Sequence, residues 1–201
     1  MGTVRLLLWW FVFWPGSLFA QWRLGVEVAV EAFSGASGPA QGWEASTPAF
    51  RPYRPTWWGL RTEAPGHRIR PALTLRFARP DLALEGDEAT VVEHLGVTDV
   101  LGVVPEVLVS LARLQAGVSL DASAGLLVER WAFEGQGART RAGPTAGLEL
   151  TVALGGRLEG VIGGALGLLP KSVFTADELP ETLEPRSVWR RSLRGSIRRR
   201  L

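Results

Sequence analysis

Apolar and polar residues alternate with a period of two along most of this chain. Residues 22–33, WRLGVEVAVEAF, set Trp22, Leu24, Val26, Val28, Val30 and Ala32 against Arg23, Gly25, Glu27, Ala29 and Glu31. That period marks a β-strand with two unlike faces. The pattern returns at 69–78, 103–112, 118–130, 145–154, 158–168 and 189–201. A less regular stretch at 55–64 supplies one more strand. The expectation is about eight strands of roughly ten residues, with no competing helical period.

The links between strands alternate in length without a break. Long ones cover 34–55, 78–96 and 169–187, with a medium one at 132–143. Tight ones sit near 65–67, 113–117 and 155–157. Antiparallel neighbours send every second link to the same end, so one end carries the loops and the other the hairpins. The fold class expected is all-β: an eight-stranded antiparallel up-and-down barrel.

Alternation does not say which face points inward. A soluble ligand-binding barrel of the lipocalin kind turns its apolar face in, and a membrane barrel turns it out. Three features favour the membrane form. Gly25, Ala29, Gly125, Gly147, Gly163, Ala165 and Gly167 share the charged face, where a narrow bore has little room. That face also holds similar numbers of acids (Glu27, Glu31, Glu63, Glu106, Asp121, Glu129, Glu149, Glu159) and arginines (Arg23, Arg61, Arg70, Arg76, Arg190, Arg194, Arg198, Arg200). Balance is what a closed lumen requires, because an unpaired buried charge is far costlier than a paired one. Finally, ten tilted strand residues span about 25 Å, the height of an outer-membrane apolar band. Arg191 and Arg199 are charges on the apolar rows, both near strand ends.

From these residues we expect a lumen charge network of Arg23, Glu27, Glu31, Arg70, Arg76, Glu106, Asp121, Glu129, Glu149, Glu159, Arg190, Arg194 and Arg198. Arg190, Arg194 and Arg198 on the last strand are expected to pair across the closing seam with Glu27, Glu31 and Glu159. The alternative is a set of independent, solvated side chains. Trp22, Phe33, Trp58, Phe77, Trp131 and Trp189 lie near strand ends and suit an interfacial aromatic girdle; aromatic residues also favour strands in general.

Composition refines the picture. The 201 residues contain no cysteine, 24 glycines and 9 tryptophans, with a net charge of +2. Nothing in that balance argues for nucleic acid. The single lysine, Lys171, fits a need for fork-shaped guanidinium donors, and an arginine-biased composition explains it equally well. Residues 1–20 read as a signal peptide, with Arg5, an apolar run at 6–20 and cleavage near Ala20. An uncleaved anchor is the competing reading, but the run is short for a spanning helix. Residues 21–201 then form the barrel domain.

Signal segment, eight alternating strands, long outer loops and short inner turns together resemble the small outer-membrane β-barrels of the OmpA/OmpX-like group. The resemblance covers the whole mature chain and is architectural. It implies a transmembrane barrel with extracellular loops, periplasmic turns and an outer-membrane location. It also implies contact with outer-membrane lipid and lipopolysaccharide, insertion by the barrel-assembly machinery, and a monomeric state. The family's aromatic C-terminal insertion signal is matched loosely by Ile197 and Leu201, and Arg199 departs from it.

No catalytic constellation stands out. His67 falls in a tight turn, and Ser110 and Ser119 belong to strand ends far from His94, which falls in a long loop; two exposed loop histidines are the expected reading. The acidic run 81–88 lacks calcium-loop spacing, and GVIGGALG lacks the spacing of a phosphate-binding loop. We expect no cofactor and no metal. The expected role is a structural surface scaffold with a filled, non-conducting lumen. Its loops display Trp43, Phe50, Tyr53 and DELPETLEP, which suit contact with lipopolysaccharide, cations or a surface partner, or simple solvation. A lipid-modifying outer-membrane enzyme is the alternative, and a secreted ligand-binding barrel a more distant one.

Overall fold

A computed structural model describes residues 22–43, 49–85, 90–93, 99–114, 117–133 and 137–201. The expected signal segment, its cleavage site at Ala20, and His94 lie outside the described residues. The strands are β1 (Arg23–Pro39), β2 (Ala49–Tyr53), β3 (Thr56–Glu63), β4 (Ile69–Ala78), β5 (Asp81–Glu85), β6 (Thr90–Glu93), β7 (Asp99–Leu114), β8 (Val118–Ala132), β9 (Arg139–Gly155), β10 (Leu158–Leu169) and β11 (Leu183–Arg200). A short 3-10 turn covers Ala176–Glu178.

Eight strands close into an antiparallel ring in the order β1-β11-β10-β9-β8-β7-β4-β3, and β3 returns to β1. All consecutive ring strands are antiparallel, and the seam is the long β1–β11 ladder from Arg23↔Arg200 to Pro39↔Leu183. The hairpin between β9 and β10 turns on Gly155 and Gly156, with φ of 116° and 57°. Those positive values suit glycine because other residues clash there. The remaining strands β2, β5 and β6 form a separate three-stranded sheet from the long links at the loop end.

The apolar rows face out. Val26 lies beside Leu60 and Ile197. Ile162 lies beside Leu150, and Leu75 beside Leu60 and Val103. Ile162 and Leu193 are 66% and 64% exposed, and the exposed apolar rows run around the whole ring. A continuous belt of this kind is far larger than the apolar patches of water-soluble monomers. Arg191 and Arg199 are exposed on the same face of β11. The strand between them runs about 26 Å, or roughly 20 Å in height at a barrel tilt near 40°. They bracket the belt, where long side chains reach the interface.

Several strands run beyond the expected limits at the loop end, β1 to Pro39, β9 from Arg139 and β11 from Leu183. The cause in β1 is a bulge. Gly35 and Ala36 both take positive φ (87° and 80°), and the register with β11 shifts between Gly35 and Ser37. A Cβ on Gly35 would lie 2.2 Å from the Ser187 carbonyl oxygen. The bulge ends strict alternation, so that Ala36, Ser37 and Gly38 are buried in succession.

Candidate functional site: the charged lumen and its aromatic cap

The charged rows face in, and their side chains meet in the bore. Arg61 of β3 is the hub. It contacts Glu106 at 2.5 Å, Glu149 at 3.0 Å, Glu63 at 3.2 Å and Glu27 at 3.8 Å, four carboxylates from four strands. Glu149 also takes Arg194 at 2.6 Å and Arg198 at 2.8 Å. Arg194 reaches Glu106 as well, at 3.3 Å, and donates to the Ser123 hydroxyl. Arg198 reaches Glu63.

Nearer the loop end lies a second layer. Arg76 bridges Glu31 (2.9 Å) and Glu129 (2.5 Å). Arg190 bridges the same two carboxylates, closing a four-membered ring of charges. Towards the hairpin end, Arg70 pairs with Asp121 at 2.8 Å, while Arg23 pairs with Glu159 at 3.0 Å and Glu63 at 3.5 Å. All thirteen network residues inferred from the sequence point into the bore. Arg61, Glu63 and Arg200 join them, the last through Glu159. Arg61 and Glu63, placed on the charged face by the sequence but left out of the expected network, carry it as much as any of its members. Their signal was the shared parity of Trp57, Gly59, Arg61 and Glu63 on an irregular strand.

The pairing differs from the expected seam. Arg190 does reach Glu31, but Arg194 and Arg198 cross the bore to β3, β7 and β9. The register explains this. Beside Arg194 stand Ala29 and Gly163, and beside Arg198 stand Gly25 and Glu159. Ala29 and Gly163 let the Arg194 stem lie across them towards the far wall, and Gly25 does the same for Arg198. A Cβ on Gly25 would sit 2.7 Å from Arg198 Cγ, and one on Gly102 would sit 2.9 Å from Arg76 Cγ. These glycines are the space that the arginines fill.

Glu27 is the least satisfied member. Its Oε2 has no hydrogen-bond partner among the described residues, and its nearest guanidinium is Arg61 at 3.8 Å. Beside it the two layers leave a cavity of about 20 Å³, room for a single water.

Two of the residues assigned to an interfacial girdle lie inside instead. Phe33 and Trp131 are 3% and 0% exposed. Phe33 continues the inward parity of Glu27, Ala29 and Glu31, and Trp131 that of Asp121 and Glu129. The two rings meet edge to face, 6.2 Å apart. Trp131 Nε1 donates to Glu129, so the polar end of the indole faces the charged layer. Trp57, also buried, lies under the Arg76 guanidinium at 4.2 Å, and Arg190 sits over Phe33 at 4.9 Å. Trp58, Phe77 and Trp189 do face outward, and Trp22 is half-buried at the hairpin end.

Above these aromatics the link between β10 and β11 folds into the mouth. Leu169, Val173, Phe174, Leu179 and Leu183 are buried against Phe33, Trp57 and Trp131. Phe133 stacks between Trp131 and Phe174. Polar contacts hold this link in place. Ser172 donates to the Ala36 carbonyl, and Arg139 donates to Glu178. Burial raises the Glu178 carboxyl, but the hydrogen bonds from Arg139 and from the Thr175 amide outweigh it, and the group lies below its ordinary range. His67 lies at the hairpin end, where the lumen opens beside Ser110 and Ser119.

No protein-family model matches the chain, and no curated protein matches it in sequence. Solved structures do match in shape. The Neisserial surface protein A (NspA) superposes with a TM-score of 0.58 at 11% identity, over 90% of this chain and 97% of that one. The outer membrane protein OprG of Pseudomonas aeruginosa gives 0.56 at 8% identity, over 89% and 94%. The fold of this chain is thus that of the small eight-stranded outer-membrane β-barrel proteins.

Proposed function

We propose that the chain is a monomeric integral outer-membrane barrel, with loops outside and hairpins in the periplasm. Its role is that of a surface scaffold with a closed, non-conducting lumen. The observation that carries the reading is the pairing of a continuous apolar belt outside with an interior filled by arginines and carboxylates. Lipid is the solvent that suits the first, and mutual ion pairing is what makes the second affordable. The shape shared with outer-membrane barrels supports the same location. Non-conductance is supported by the two charged layers, by the aromatic cap, and by the small volume left between the layers.

Outer-membrane lipid, lipopolysaccharide and the insertion machinery are the partners that follow from this placement. The test is membrane fractionation with heat-modifiable gel mobility, followed by single-channel recording in a planar bilayer. The reading expects outer-membrane recovery, a mobility shift on boiling and no current steps. Recovery in the aqueous phase would overturn the location, and regular open-channel steps would overturn the closed lumen.

A further inference from the structure

Below the charged layers the lumen opens at the hairpin end into a cup of about 670 Å³. Volumes of that order hold small ligands. Besides Arg198, which is committed to Glu63 and Glu149, four arginines line the cup: Arg23, Arg70, Arg113 and Arg200. Two carboxylates, Asp121 and Glu159, line it with them. Asp121 is paired with Arg70, and Glu159 is shared between Arg23 and Arg200. Arg113 donates to the His67 carbonyl at 3.2 Å and meets no carboxylate among the described residues. Four guanidiniums against two lining carboxylates leave the cup positive even though Glu63 behind it also meets Arg23 at 3.5 Å, since Arg113 faces no acid among the described residues.

Two further observations sharpen this imbalance. Arg70 is buried and held by Asp121, yet its Nε has no hydrogen-bond partner among the described residues, and Glu63 stands 3.8 Å from it. The hairpin links add His67, Arg68 and Arg157 at the rim, and the stretches 64–68, 115–117 and 156–157 contain no acid. The acids of this end, Glu63, Asp121 and Glu159, are buried, whereas the side chain of Arg200 is 55% exposed. Excess positive charge gathered at the mouth of a cleft draws an incoming counter-ion. Guanidinium forks match the geometry of oxyanions.

We propose that the hairpin-end cup binds a multivalent oxyanion of the phosphate class, gripped by Arg113 and Arg200, with Arg23 and Arg70 behind them. A soluble phosphate ester and a phospholipid headgroup offer the same chemistry.

Inorganic pyrophosphate is the probe. The full chain in nanodiscs of zwitterionic lipid is titrated by calorimetry at low ionic strength. Saturable binding is expected, weakened about tenfold for each guanidinium removed in Arg113→Gln and Arg200→Gln. Neither residue belongs to the central ion-pair layers, and gel mobility verifies folding. Should a variant fail to fold, pyrophosphate-induced amide shifts at residues 113 and 200 of the unaltered protein decide the matter. Repeating the titration in phosphatidylglycerol discs separates the sources. Weakened pyrophosphate binding assigns the cup to headgroups, and unchanged binding assigns it to a soluble anion. Absence of saturable binding, or equal affinity in the double variant, overturns the proposal. The site rests on the membrane reading only for its lipid setting: failure to enter nanodiscs counts against that reading, and failure to bind in well-formed discs counts against the cup.

Discussion

Glu149→Gln is expected to be among the costliest single changes in this barrel, and Glu27→Gln among the mildest in its lumen. Both residues are buried carboxylates on the inner face. Glu149 is held by three guanidiniums, Arg61 at 3.0 Å, Arg194 at 2.6 Å and Arg198 at 2.8 Å. Removing its charge leaves buried cations from β3 and β11 short of a partner, and breaking a buried pair in this way costs about 3–5 kcal/mol. Glu27 has one guanidinium at 3.8 Å and an oxygen with no hydrogen bond to lose. Its neutralisation should cost about 1 kcal/mol or less, since net stabilisation follows from bonds made. The assay is urea unfolding from phospholipid vesicles, followed by tryptophan fluorescence and by gel mobility. Stability is then extrapolated linearly to water. Equal losses for the two variants, or a larger loss for Glu27→Gln, would refute the argument that contact geometry, and not burial alone, sets the value of each carboxylate.

Other expectations follow from the same geometry. Trp57→Ala removes a buried ring from beneath Arg76 and should cost about 3–5 kcal/mol in the same unfolding assay. Gly25→Val places a branched side chain against Arg198 and the Ile197 carbonyl, and should destabilise by about 1–3 kcal/mol. Ile162→Arg, on the exposed belt, should cost about 2–4 kcal/mol in lipid, whereas Arg199→Ala at the band edge should be nearly neutral. The folded-state pKa of Glu178 is depressed below its ordinary value of 4.5. Its contribution to anchoring the β10–β11 link is therefore complete above that value and lost as pH falls through the lower folded one. Protection of residues 172–183 from hydrogen exchange, taken relative to the intrinsic rate at each pH, should fall only below about pH 4.5, and Glu178→Gln should weaken that dependence.

The ring was readable because the period-two pattern is imposed by two unlike surroundings, an apolar belt outside and a charged bore inside. Ile69–Ala78 matches its expected limits, and β3, β8 and β10 match theirs within two residues. Where only one kind of surrounding acts, the signal fades. Beyond the apolar band, β1, β9 and β11 continue as extended ribbon with no alternation to mark it, and Gly35-Ala36 shifts the parity of β1. Phe33 and Trp131 were misplaced because proximity to a strand end was weighed above parity, and parity sets the face. Which charged side chains point into the bore was legible residue by residue. Which guanidinium meets which carboxylate was not, because Arg194 and Arg198 reach across the ring past Ala29, Gly163 and Gly25, and that distance is set by closure. The cup at the hairpin end was equally hidden, since Arg23, Arg113 and Arg200 lie on three separate strands.

The orientation of the two faces is tested most directly by spin labelling, which the absence of cysteine makes clean. Single cysteines at Val26, Ile162 and Leu193 would carry a nitroxide into the outer belt of the reconstituted protein. The account predicts frequent collision with oxygen, which concentrates in lipid, and little with a water-soluble nickel chelate. High collision with the chelate at all three positions would contradict it, because those rows would then face water.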